Sequence, residues 1–77
     1  MHNYTAYHFK IEPALPGVEI LIAELDRAGF DSFVEEGNEL TAYILSEKNH
    51  EKILENIRLL QSDEFEISYS VEEIEPV

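Results

Sequence analysis

The sequence predicts a small α+β domain: a four-stranded antiparallel sheet with two helices on one face, in the order β-α-β-β-α-β. Three observations predict it. Apolar and polar residues alternate with period two near both ends of the chain, which marks two long strands. Two stretches of helical spacing lie between those strands. A Gly-Asn pair joins two short runs in the middle as a hairpin.

The first strand is expected over 4–12. Thr5, Tyr7, Phe9 and Ile11 fall on one face, and Tyr4, Ala6, His8 and Lys10 on the other. Pro13 and Pro16 end it, since neither can donate to a ladder. A helix is expected over 16–28, from Val18, Leu21, Ile22, Leu25 and Ala28. Pro16 suits the first turn, and Glu19 lies near the positive end of the helix dipole. Gly29 suits the left-handed position just past the helix. Phe30 would then pack back on Leu25, as in a Schellman ending.

Two short strands are expected at 31–36 and 39–45. Gly37-Asn38 forms the turn between them. Phe33 and Val34 anchor the first. Leu40, Ala42 and Ile44 mark one face of the second, with Tyr43 on the opposite face. A second helix is expected from Ser46 or Asn49 to Gln61, with Ile53, Ile57 and Leu60 as its apolar stripe and Leu54 widening it. The last strand holds Phe65, Ile67, Tyr69 and Val71 in alternation with Glu66, Ser68, Ser70 and Glu72, and Pro76 closes the domain. Right-handed crossovers place both helices on one side of the sheet, with the first and third strands central. That is the ferredoxin-like arrangement.

At 77 residues the chain is one domain. It contains no Cys, so neither a disulfide framework nor a thiolate metal site is available. The start of the chain lacks the basic and apolar regions of a signal peptide. No apolar window is long enough to span a bilayer. A cytoplasmic location is expected.

Charge is the most lopsided property. Seventeen acidic residues face five basic ones, for a formal net charge of −12. That sign disfavours nucleic acid, whose binding relies on Lys and Arg at phosphates. It also disfavours anionic membranes. The acidity serves either solubility alone or the attraction of a basic partner.

Catalytic and metal chemistry find no foothold. His2, His8 and His50 share no ligand spacing, so no metal is expected. The acids are too numerous and scattered for any pair to stand out as general acid and base. Gly17, Gly29 and Gly37 are isolated, which leaves no phosphate cradle and no dinucleotide fingerprint. No catalytic residue and no cofactor is expected in this chain. The open sheet face should carry Tyr4, His8, Lys10, Tyr43, Ser68 and Ser70. Its aromatics sit where RNA-recognition domains stack bases, but the basic residues of such domains are missing.

Pro16-Gly17, between the first strand and the first helix, resembles the loop of small-molecule-binding regulatory domains of the ACT type. That resemblance implies a ligand near Gly17. An ordinary turn explains the same pair.

A broader resemblance covers nearly the whole chain. The run from Pro16 to Leu25, then Gly29-Phe30-Asp31-Ser32-Phe33-Val34-Glu35, resembles the N-terminal domain of the methyltransferases of large-subunit ribosomal protein eleven, in their bacterial form. So do Leu40-Thr41-Ala42-Tyr43-Ile44 and the stretch from Phe65 to Glu75. The ordered set carries the likeness, not any one motif. It implies a ferredoxin-like domain that recognises the ribosomal protein. It also implies a linker and a Rossmann-like domain beyond Val77, where S-adenosylmethionine would bind and methyl transfer would occur. On that reading the chain is a monomeric substrate-recognition fragment whose partner is the basic ribosomal protein. Partner contacts are expected at Tyr4, His8, Tyr43 and Ser68, on the open sheet face, with nearby acids.

Overall fold

β1 runs Tyr4–Glu12, the span that its alternation predicts. Tyr7, Phe9 and Ile11 are buried on the inner face. The computed structural model describes residues 3–75, so His2 and Pro76 lie outside it. α1 spans Ala14–Ala28, but Leu15 has non-helical angles (φ −114°, ψ 126°), and the regular helix begins at Pro16 as expected. Val18, Leu21 and Leu25 are its buried stripe.

The helix ends as the sequence predicts. Gly29 adopts φ 112°, a left-handed conformation costly for residues with a Cβ. The Gly29 N–H donates to Asp26 O at 3.2 Å and the Phe30 N–H to Leu25 O at 3.1 Å. These are the paired bonds of a Schellman ending, and Phe30 and Leu25 share the core.

β2 covers Ser32–Glu36 and β3 Glu39–Leu45. Gly37 takes φ 61° in the two-residue turn that joins them. Phe33 packs against the core, whereas Val34 is 55% exposed. Adjacent strand residues face opposite ways, so only one of the two expected anchors can turn inward. β4 spans Glu66–Ile74. The sheet order is β2-β3-β1-β4, with every neighbouring pair antiparallel. The domain is therefore a ferredoxin-like α+β fold with β1 and β3 in the centre.

The second helix is the correction. In its place the chain makes three short 3₁₀ turns, at Ser46–Lys48, Ile53–Asn56 and Arg58–Gln61. Asn49 (φ −77°, ψ 144°) and Ile57 (φ −86°, ψ 99°) are extended and break the segment into pieces. Local propensity is weak at both breaks, since Asn and β-branched residues are mediocre helix formers. Tertiary bonds then compete. Tyr7 OH donates to Asn49 Oδ1 at 2.7 Å. The Glu24 carboxylate, on α1, accepts the Arg58 N–H at 2.6 Å and the Leu59 N–H at 3.1 Å. The extended residue at 57 also shifts the phase of the residues after it. Ile53, Ile57 and Leu59 are buried, while Leu60 is only partly so. The expected stripe had Leu60 in that place.

Candidate functional site

The open face of the sheet is built by register. Tyr4, Ala6, His8 and Lys10 of β1 stand opposite Leu45, Tyr43, Thr41 and Glu39 of β3. On the other side they meet Ile74, Glu72, Ser70 and Ser68 of β4. Cross-strand partners point to the same face, so all of these side chains share it. The four residues expected to bind a partner, Tyr4, His8, Tyr43 and Ser68, therefore do lie on one face. They form a stripe and not a single spot. Ser68 pairs with Lys10, six residues along β1 from Tyr4, a separation of about 20 Å at the usual strand rise. Tyr4 is 36% exposed, Tyr43 and His8 are half-buried, and Ser68 is exposed. A shallow depression of about 300 Å³ brings His8, Lys10, Glu39, Ser68 and Ser70 together at the lower end of the stripe.

His8 is held in the middle. Its Nδ1 lies 3.2 Å from Thr41 Oγ1, and its Nε2 lies 2.9 Å from Glu72 Oε1. With the neutral ring protonated at Nε2, that N–H donates to Glu72 while Nδ1 accepts the Thr41 hydroxyl, which satisfies both contacts. The line hydroxyl–imidazole–carboxylate has the order of a nucleophile, base and orienting acid. It lies open on a strand surface, however, with the His8 and Glu72 side chains both exposed to water. What the arrangement does is lock the ring across three strands.

Charge on this face is segregated. Alternation places Glu12, Glu36, Glu39, Glu66 and Glu72 on it, and Lys10 is the one Lys or Arg in the four strands. Arg27, Lys48, Lys52 and Arg58 belong to the helix layer. An acidic face turned away from most of the chain's own cations remains free to attract basic groups.

Gly17 has a different task from the one its loop suggested. A Cβ built there would lie 2.6 Å from Ile11 Cγ2 and 3.1 Å from the Phe65 ring. The space beside Gly17 is filled by core side chains, which leaves no room for a small ligand against its backbone. A wide groove of about 900 Å³ does exist between α1 and the 46–61 segment, lined by Ile20, Ala23, Arg27, His50 and Arg58 among others. It lies on the opposite side of the molecule from the predicted stripe.

Sequence reasoning missed three features. It missed Glu72 and Thr41 as partners of His8, the Glu24 clamp, and a hydroxyl–carboxylate cluster at the end of β1. In that cluster the Thr5 and Ser46 hydroxyls, 2.8 Å apart, both donate to Glu73 Oε1, at 2.7 and 2.8 Å. The Thr5 hydrogen bond, and then that of Ser46, holds the Glu73 carboxyl below its ordinary range. Burial, only partly offset by the Asn49 hydrogen bond, pushes the Tyr7 phenol up. The His8 and Glu73 contacts follow from strand register, which sets Thr41 of β3 opposite His8 and Glu73 of β4 opposite Thr5, whereas the Glu24 clamp is a helix-to-loop contact. Among the described residues, no group of three or more His, Asp or Glu is gathered as a metal ion would require. No helix there is long and apolar enough to cross a membrane.

No protein-family model matches the chain, nor does any curated protein or solved structure. The class that the fold and the face define is therefore structural: a ferredoxin-like domain with an acidic, partly aromatic open sheet face.

Proposed function

We propose that this chain is a protein-recognition domain for a basic partner. The partner is the large-subunit ribosomal protein eleven, and the domain is the substrate-recognition part of an S-adenosylmethionine-dependent methyltransferase that works in the cytoplasm. The observation that carries the reading is the acidic open face, with Tyr4 and Tyr43 near one end and five carboxylates against one lysine. Aromatic side chains anchor interfaces, and complementary charge steers the encounter. The ferredoxin-like fold is the one the resemblance implies. In this reading the chain contributes binding and orientation, while the cofactor and the methyl transfer belong to a further domain. The packed surroundings of Gly17 weigh against the alternative of an ACT-like ligand site at that turn.

The test is a titration of the isotopically labelled chain with the ribosomal protein, followed by amide shifts. Binding should weaken strongly as salt rises from about 0.01 M to 0.15 M, which shortens the Debye length from about 30 Å to about 8 Å. Replacing Tyr4 and Tyr43 together by Ala should weaken it at least about tenfold, as for an anchor pair. An absence of shifts at low salt would refute the proposal.

A further inference from the structure

β4 is a nine-residue strand at the edge of the sheet, paired only with β1. The Ile11 N–H donates to Asn38 O at 2.8 Å, on the β3 side of β1. In an antiparallel sheet successive residues bond to alternate sides, so odd-numbered β1 residues bond toward β3 and even-numbered ones toward β4. The β4 residues opposite those even positions are Glu66, Ser68, Ser70, Glu72 and Ile74. The backbone N–H and C=O groups of Ile67, Tyr69, Val71 and Glu73 therefore point out of the free edge. Among the described residues, no other segment reaches them with a backbone bond.

The same residues leave apolar surface uncovered. Tyr69 and Val71 are each 52% exposed, although their side chains lie on the helix side of the sheet, beside Phe9 and Tyr7. The broken 46–61 segment is tied to β1 through Tyr7 and Thr5, and it leaves this part of β4 bare. A long edge with apolar side chains is a template for another strand. Its guards here are acidic. Glu66 and Glu72 flank the open-face side, and Glu73 sits on the other. Carboxylates repel a second copy of a chain that carries −12, but they do not repel a basic strand.

We infer that β4 is a docking edge for an extended segment of a basic partner protein, which adds to the sheet as a fifth strand. Its alternate side chains divide by face. Lys or Arg residues lie beside Glu66 and Glu72, and apolar residues lie beside Tyr69 and Val71. Backbone pairing of this kind gives affinity, and the alternating side chains give specificity. The inference deepens the proposed recognition role and rests on it for the sign of the partner's charge.

The probe is a nine-residue synthetic peptide that alternates lysine and valine, matched to the length of β4. A control peptide is N-methylated at its valines, whose N–H groups face β4 when their side chains lie beside Tyr69 and Val71, which removes ladder donors without changing charge. Titrated into the labelled chain, the first peptide should shift the amide protons of Ile67, Tyr69, Val71 and Glu73 downfield and slow their exchange. The methylated peptide should bind at least about tenfold more weakly, a loss of about 1.4 kcal/mol. V71P removes one outward donor and should abolish pairing. Should that variant fail to fold, the methylated peptide still decides the matter. Shifts confined to Tyr4, His8 and Tyr43, shifts on β2, or equal binding of the two peptides would each overturn the inference. So would a concentration-dependent dimer with β4 amide shifts and no peptide present, since the occupant would then be a second copy. Failure here combined with binding of the ribosomal protein leaves the recognition role standing. Peptide pairing without ribosomal-protein binding removes that role and keeps the docking edge.

Discussion

Replacing Gly17 by Ala separates two opposed effects. Within a helix, Ala is favoured over Gly by about 1 kcal/mol. The structure predicts the reverse outcome here. The added Cβ would sit 2.6 Å from Ile11 Cγ2, about 1 Å inside the carbon–carbon optimum of about 3.5–4.0 Å. Ile11 is fully buried on central β1, and its β-branched side chain is stiff at χ1, so the methyl group has no easy escape. The Phe65 ring closes the other side at 3.1 Å. Overpacking of this kind costs about 1–3 kcal/mol. Set against the propensity gain, which is smaller in a first turn, the net loss is about 1–2 kcal/mol. For a domain of this length that lowers Tm by roughly 5–15 °C. Urea unfolding followed by far-ultraviolet circular dichroism should show a lower midpoint at unchanged slope. In an Ile11→Leu background, which moves the methyl group off the β-carbon, the cost of Gly17→Ala should shrink. A rise in Tm for the single variant would refute the packing argument and leave propensity as the dominant effect.

Three further outcomes are expected. Glu24→Gln keeps one acceptor but loses the charge that holds two backbone N–H groups. It should cost about 1 kcal/mol and speed hydrogen exchange at Arg58 and Leu59, while unchanged exchange there would count against the clamp. Tyr7→Phe removes the bond to Asn49 and should also cost about 1 kcal/mol, with amide shifts concentrated at the start of the 46–61 segment. The Glu73 carboxyl titrates below its ordinary value of 4.5 in the folded chain, so the unfolded chain takes up its proton first as pH falls. The stability contributed by this group is therefore complete above 4.5 and is lost as pH falls through the lower, folded value. Thr5→Val should flatten that part of the acid unfolding curve, and a carbon-detected titration of the Glu73 carboxyl should move toward the ordinary value. An unmoved titration would mean that Thr5 is not the cause.

Features with a local cause were legible in the sequence. Alternation placed β1 and β4 to within two residues of their observed ends. Proline and glycine marked the bounds of α1, because their backbone restrictions act whatever surrounds them. Gly37-Asn38 located the hairpin for the same reason. The membership of the open face followed from period two, so Tyr4, His8, Tyr43 and Ser68 were correctly grouped. Tertiary structure decided the rest. The 46–61 segment carries an apolar pattern that suits a helix, yet its backbone donors and side chains find partners in Glu24 and Tyr7, which are remote in sequence. Weak local preference yields to such bonds, and the shift from Leu60 to Leu59 results. Register likewise lies beyond local reading. It sets Glu72 and Thr41 on either side of His8 and turns the backbone of Tyr69 and Val71 toward a free edge, since which strands become neighbours depends on how the whole chain buries its apolar surface.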